Sequence, residues 1–185
     1  DPETVVYFGE KLLGEAHRMG AMIADLINLS KLQGAEALPE MAPVRVDDII
    51  DEAVERNQLA AEGHEIELTR GERSDTYVVG DRSMLVTAVS NLISNAINYS
   101  PKGRPVSVPQ KIVRDSVVLI RVTDRGMGIA PEDQKRVFER FFRVDKARSR
   151  QTGGTGLGLA IVKHVVANHA VSYTHLRAHE TPEHL

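Results

Sequence analysis

The chain has 185 residues, 42% of them apolar, which suffices for one packed domain, or for one domain with a short helical appendage. Its 26 acidic and 23 basic residues leave a net charge of -3, which disfavours a nucleic-acid partner, and the lack of cysteine excludes disulfides and thiolate metal sites. No apolar run reaches the ~20 residues that span a bilayer, and Asp1-Pro-Glu-Thr reads as the edge of a longer protein, neither leader nor initiator.

Leu12, Ala16, Met19, Ile23 and Leu26 step by 4, 3, 4 and 3, which predicts one helix over 4–32 with a heptad seam. A single stripe cannot bury itself, so the seam calls for a partner helix. Gly34, Pro39 and Pro43 mark residues 34–44 as a linker. Asp47 is then expected to cap a helix reaching about Ala61, with Ile49, Ile50, Ala53 and Val54 on it. Ile66 and Leu68 alternate with Glu65, Glu67 and Thr69 as in a half-buried strand that His64 begins, and Tyr77-Val-Val suggests a second strand. Over 82–99 the pattern is strongly helical. Leu85, Val86, Val89, Leu92, Ile93, Ala96 and Ile97 share one face, while Asn91, Asn95 and Asn98 lie opposite with Tyr99 at the edge. Pro101 ends that helix. Strands are expected at 105–113 and 117–123, with Pro109 demoting the first to an edge or bulged strand. Pro131 is expected to start a short helix to about Phe138, residues 143–156 to form a loop, and 157–169 to be helical.

Three segments carry chemistry. Asn91 and Asn95 sit one turn apart on a helix, although asparagine is a poor helix former. The Asn95 side-chain oxygen is a hard donor suited to Mg²⁺, but on the helix alone a solvated polar stripe is the plainer reading. Asp124-Arg-Gly-Met-Gly follows a predicted strand. Its carboxylate can accept from an exocyclic amine such as that of adenine, and Gly126 and Gly128 let backbone approach a ligand; an ordinary turn uses the same residues. Gly153-Gly-Thr-Gly-Leu-Gly-Leu-Ala runs into a helix, so several N–H groups and the positive end of a dipole face one point. It is neither a dinucleotide fingerprint nor a P-loop. Residues 135–150 contain seven basic residues against Glu139 and Asp145, a local patch that suits a small polyphosphate, so phosphate is the better reading than a plain hinge.

In this order, the segments resemble the catalytic ATP-binding domain of sensor histidine kinases, within the gyrase, Hsp90, histidine kinase and MutL superfamily. Residues 91–100 resemble the N box, 124–129 the first glycine box, Phe138-Glu-Arg-Phe-Phe-Arg143 the F box and 154–159 the second glycine box. The wording of 137–150 and 161–169 is similar to actinobacterial phosphate-responsive sensor kinases. The resemblance implies an α/β two-layer sandwich of helices on a mixed sheet, the Bergerat-type ATP-binding fold, preceded by one long dimerisation helix. It implies ATP and Mg²⁺ as ligands. Asn95 would hold the metal and Asn91 would support the phosphate site. Asp124 would bind the adenine amine with Gly126 and Gly128 beside it, and Tyr99 would pack on the ring. Arg143 and Arg140 would meet the γ-phosphate. Backbone at Gly154, Thr155, Gly156, Leu157 and Gly158 would close over the phosphates, with 144–155 as a lid that Phe138 and Phe141 anchor. Related ATPases place a glutamate one turn before the magnesium asparagine; Asn91 stands there and cannot act as a base, which favours transfer to a protein over hydrolysis. Asn98 stands where the N box usually has a basic residue.

By the same resemblance, 1–33 is the second helix of a dimerisation hairpin, 34–44 a linker and 45–169 the catalytic domain. No histidine has the His-Glu/Asp…Pro setting of the phosphoacceptor; His17 reads as a surface helix residue. The two closing strands expected after His169 are missing, and 170–185, with His175, His179 and His184, reads as non-native read-through. The implied partners are a second copy through the hairpin and a response-regulator receiver domain. Nucleic acid is not expected. The kinase part would be cytoplasmic, with any membrane contact in segments outside this chain. The rival readings are an ATPase or ATP-gated clamp of the same fold, and a non-enzymatic dimerisation module.

Overall fold

A computed structural model describes residues 1–34, 39–114, 117–143 and 154–169. Helix α1 spans Pro2–Gln33. Asp1 caps it by accepting from the Glu3 N–H at 3.1 Å, and Pro2 suits the first turn, where no N–H is needed. The predicted seam exists but no described element covers it: Leu12 is 71% exposed, Leu26 is 40% exposed, and Met19 and Ile23 are exposed between them. A different face of α1, with Met22, Leu29 and Leu32, packs on the rest of the molecule.

Residues 34–44 are not wholly a linker. Ala42–Arg45 form β1, paired antiparallel with β3 (Tyr77–Gly80), Val44 opposite Val78. Pro43 is tolerated because β1 has one strand partner and need not donate on its outer side. Asp47 does not cap α2 (Val46–Gly63) either; the cap position is Arg45, which makes no side-chain capping bond. Asp47 lies buried in the first turn and turns away from its own helix. Its carboxylate accepts from Arg70 Nη2 at 3.0 Å, the Asp75 N–H at 3.0 Å, the Ser74 N–H at 3.4 Å, and Gln110 Nε2. Four donors, two loop amides and side chains from two strands, outcompete the local amides. Burial alone would raise this carboxyl, but Arg70, the Asp75 amide, Gln110 and the Ser74 amide together hold it far below the carboxylate range. His64 ends α2 rather than beginning a strand, its N–H donating to the Ala60 and Ala61 carbonyls.

Helix α3, Arg82–Tyr99, has the expected bounds, capped by Asp81 accepting from the Met84 N–H at 3.0 Å. The stretch expected as one strand over 105–113 divides at Pro109. β4 (Val106–Val108) pairs parallel with β2 (Leu68–Arg70), and β5 (Gln110–Val113) pairs antiparallel with β6 (Val117–Ile120). Pro109 cannot donate to a ladder; its carbonyl instead accepts from the Arg121 N–H at 3.0 Å. A bridge between Ser107 and Thr123 ties the strand layers further. The strands are thus mixed in direction, as expected, but run as three two-stranded ribbons among the described residues. The helix expected over 131–138 is a run of turns ending in one 3-10 turn, Arg136–Phe138. Only Val137 of that turn is buried, too little contact to offset helix nucleation. The last helix, α4, spans Gly158–His169, within the range that periodicity predicts.

Two apolar clusters flank α3. In one, α2 and α3 cover the strands through Val46, Ile49, Ile50, Val86, Ile93, Ile97, Val106 and Val108. In the other, α1, α3 and α4 meet through Leu29, Leu32, Ala88, Leu157, Ile161 and Val165. No described helix is long and apolar enough to cross a membrane.

Candidate functional site

The three motif segments converge on the C-terminal half of α3. The first is α3 itself, where Asn91, Asn95 and Tyr99 succeed one another at single-turn spacing and are all half-buried. The second is the turn after the Thr123 bridge. Asp124 Oδ1 accepts from the Gly126 N–H at 2.8 Å, which folds the turn back on its own carboxylate. A β-carbon on Gly126 would lie 2.8 Å from the Tyr99 carbonyl oxygen, so only glycine lets this turn lie against the end of α3. Tyr99 and Asp124, distant in sequence, therefore share one corner.

The third segment is the glycine loop, residues 154–158. Gly158 opens α4 with its α-carbon side about one van der Waals contact from Asn91: an added β-carbon would sit 3.9 Å from the Asn91 side chain. The positive end of the α4 dipole thus lies beside the polar face of α3. Gly156 has φ of 75° and would place a β-carbon 2.8 Å from the Phe141 α-carbon, so a side chain there is excluded twice. The Phe141 N–H donates to the Gly156 carbonyl at 2.9 Å. Inside the loop, Thr155 Oγ1 accepts from the Leu157 N–H at 3.2 Å and donates to Asp25 Oδ2 of α1 at 2.6 Å.

Several predicted residues take other roles than expected. Leu157 is fully buried in the second cluster, so only its backbone belongs to the loop. Phe138 packs in that cluster, whereas the Phe141 ring is 49% exposed and its tie to the loop is made by backbone. The neighbour that sequence reasoning overlooked, Phe142, is the second packed ring, with the Arg136 guanidinium 4.4 Å over its centroid. Arg140 is exposed, and Arg143 is half-buried at the end of the described segment. Arg140 bears on His164 of α4, whose ring is pushed below its ordinary value by burial first, then by Arg140 and Lys163. Gly154 and Gly128 face open space, the latter with φ of 74°. Most of the expected lid, and the tail histidines His175, His179 and His184, lie outside the described residues.

His169 was the last residue covered by the motif resemblance, with no role attached. Its Nε2 accepts from the Asp81 N–H at 2.9 Å, and its Nδ1 faces the Val165 carbonyl at 2.8 Å. Those contacts require the proton on Nδ1 and fasten the end of α4 to the cap of α3. Nothing in sequence spacing signals this pairing.

A single asparagine oxygen, that of Asn95, fits a Mg²⁺ that takes its remaining ligands from phosphate and water. The loop amides and the α4 terminus fit the phosphates themselves. The arrangement could therefore offer an acceptor for a base amine at Asp124, an aromatic edge at Tyr99, an oxygen donor at Asn95 and anion-facing amides at Gly156 and Gly158, the Leu157 amide being taken by Thr155.

Residues 80–184 match the family described as histidine kinase-, DNA gyrase B-, and HSP90-like ATPase. The chain is 60% identical over 169 residues to the sensor-like histidine kinase SenX3 of Mycobacterium tuberculosis, covering 91% of this chain and 41% of that protein. This chain therefore spans about two fifths of the length of that relative. Among solved structures, the mycobacterial sensor histidine kinase MprB superimposes with a TM-score of 0.59 at 38% identity, covering 70% of this chain and 80% of that one. The histidine kinase ThkA, solved in complex with the response regulator protein TrrA, shares the fold with a TM-score of 0.63 at 20% identity, covering 77% of this chain and 42% of that one.

Proposed function

Since the chain belongs to the histidine kinase-, DNA gyrase B- and HSP90-like ATPase family, we propose that it is the ATP-binding catalytic part of a sensor histidine kinase. Its reaction is transfer of the γ-phosphoryl group of ATP to a histidine supplied by an acceptor helix, for relay to a response-regulator aspartate. The observation that carries this reading is the convergence of Asn91 with Gly158, and of Tyr99 with Asp124, on one end of α3.

Asp124 keeps one oxygen on the Gly126 amide and offers the other to the adenine amine. Tyr99 flanks the base. Asn95 would hold Mg²⁺, which would supply positive charge against the phosphates. The amides of Gly156 and Gly158 and the α4 terminus hold the anionic end of the nucleotide. Arg143, with Arg140 beyond it, supplies fixed positive charge where the transferring group develops charge. Asn91 occupies the position against the glycine loop where a hydrolytic member would need a base; an amide takes no proton at neutral pH. Acceptance is thus left to a correctly placed imidazole, and positioning supplies most of the rate. The uncovered seam of α1 suits pairing with a second copy, and the kinase part is assigned to the cytoplasmic side, with any membrane attachment in segments outside this chain.

The test uses γ-labelled ATP and a separately produced acceptor hairpin bearing a His-Glu/Asp…Pro motif. Acid-labile label should build up on the hairpin and not on this chain alone, because none of its histidines has that setting. Asn95→Ala should abolish the magnesium-dependent part of ATP binding while sparing metal-free binding. Steady phosphate release without transfer would assign the chain to the hydrolytic branch instead.

A further inference from the structure

Helix α1 has a docking face distinct from its exposed seam, and that face rests on the glycine loop. Met22, Asp25, Leu29 and Leu32 follow at spacings of 3, 4 and 3. Leu29 and Leu32 are buried in the cluster shared with α4. Asn168 Nδ2 donates to the Leu32 carbonyl at 3.3 Å, and Gln33 Nε2 meets His164 Nε2 at 3.1 Å. One turn above Leu29 the apolar contact gives way to Asp25, and the group opposite is the Thr155 hydroxyl, 2.6 Å away.

The chemistry of that contact is unfavourable to a bound polyphosphate in two ways. The Leu157 N–H, at the mouth of α4, donates to Thr155 Oγ1 instead of to an external anion. The Asp25 carboxylate stands two hydrogen bonds from that same amide, partly desolvated, with the Thr155 hydroxyl its one partner among the described residues. Burial raises this carboxyl and the Thr155 hydroxyl draws it only part of the way back, as for a group short of counter-charge. A second anion brought to the loop meets like charge in a place that water screens only in part.

We propose that Asp25 is a positioning residue that, through Thr155, holds the glycine loop against α1 in a state that disfavours polyphosphate, so that docking of α1 and occupancy of the loop by a nucleoside triphosphate oppose one another. The proposal rests on the nucleotide-binding reading above. Because coupling is reciprocal, ATP must loosen α1 by the same factor by which docked α1 weakens ATP. A signal that shifts α1 would then reach the phosphate loop through one side chain, without touching the base pocket at Asp124.

The test is titration calorimetry of the whole chain with adenosine, ADP and ATP, comparing wild type with Asp25→Asn. Asparagine keeps an acceptor oxygen for Thr155 and removes the charge. ATP affinity should rise roughly three- to tenfold, ADP affinity by less, and adenosine affinity not at all; that ordering by phosphate count is a readout that mere loosening of the fold would not produce. An unchanged or weakened ATP affinity, or an equal gain for adenosine, overturns the proposal while leaving nucleotide binding intact. No binding of any nucleotide by wild type overturns the functional reading and this proposal together. Should Asp25→Asn fold poorly, amide exchange on the wild-type chain decides: ATP should speed exchange over residues 22–32, and slowed or unchanged exchange there overturns the coupling.

Discussion

The two apolar clusters on either side of α3 are built differently. The cluster beneath α2 and α3 draws on chain between Val44 and Val108, with strand residues beyond it packing on its edge, and a fully satisfied buried carboxylate, Asp47, pins its rim. The cluster between α1 and α4 joins residues far apart in sequence, 29 and 32 with 137 and 157–165, and its rim is the glycine loop held by Asp25. The first rim is closed by an Arg, a Gln and two backbone amides around one carboxylate; in the second, the Thr155–Asp25 bond is the side-chain tie from the loop to α1, beside the Phe141 N–H bond to the Gly156 carbonyl. Scaffold and glycine loop thus lie on opposite sides of one helix, and sub-global opening is expected from the loop side.

The sharpest break in this comparison is Asp47→Ala. It removes the buried carboxylate that Arg70, Gln110 and the Ser74 and Asp75 amides share, while Arg70 keeps Asp51 and Gln110 keeps the Glu72 carbonyl, and should cost roughly 3 kcal/mol of global stability, read from the denaturant midpoint. Acid makes the same point with the sign fixed. The Asp47 carboxyl is lowered in the folded state, so its contribution is complete above its ordinary value of 3.8 and is lost as pH falls through the folded value. Stability should therefore decline on descent below about pH 4, and Asp47→Asn should remove that part of the decline. A decline of equal steepness in the variant would place the acid sensitivity elsewhere.

On the other side, Leu29→Ala should cost about 2–4 kcal/mol locally, raising amide exchange in α1 and α4 while α2 keeps its protection. Equal loss of protection in α2 would show that the two clusters unfold as one and erase the contrast. The smallest effect on the single-chain fold belongs to the exposed seam. Ile23→Ser should change unfolding free energy by less than about 0.5 kcal/mol yet weaken self-association measured by sedimentation. A large stability loss at low protein concentration would mean that the seam is already covered within one chain.

Periodicity and motif spacing alone determined the long helix α1, the bounds of α3, the helix after the glycine loop and the identity of the three motif segments. Those are local matters: which residues repeat every 3.6 positions, which glycines precede a helix, which asparagines share a face. The two sides of α1 show where that stops. The heptad stripe is visible in sequence because its residues are apolar and regular, yet it is the side left exposed. The docked side mixes Met22, Leu29 and Leu32 with Asp25, whose partner Thr155, 130 positions away, no local pattern reveals. The same holds for Asp47, which looks like a helix cap because its intended partners at 70, 74, 75 and 110 cannot be inferred from its neighbours. It holds for the strand at 42–45, hidden by Pro43 because only an edge position forgives a missing N–H. Hydrophobic pattern is written in the chain residue by residue, whereas the partner of a buried polar group is chosen by whichever distant donor or acceptor the packing of apolar faces happens to deliver, and that choice exists only in three dimensions.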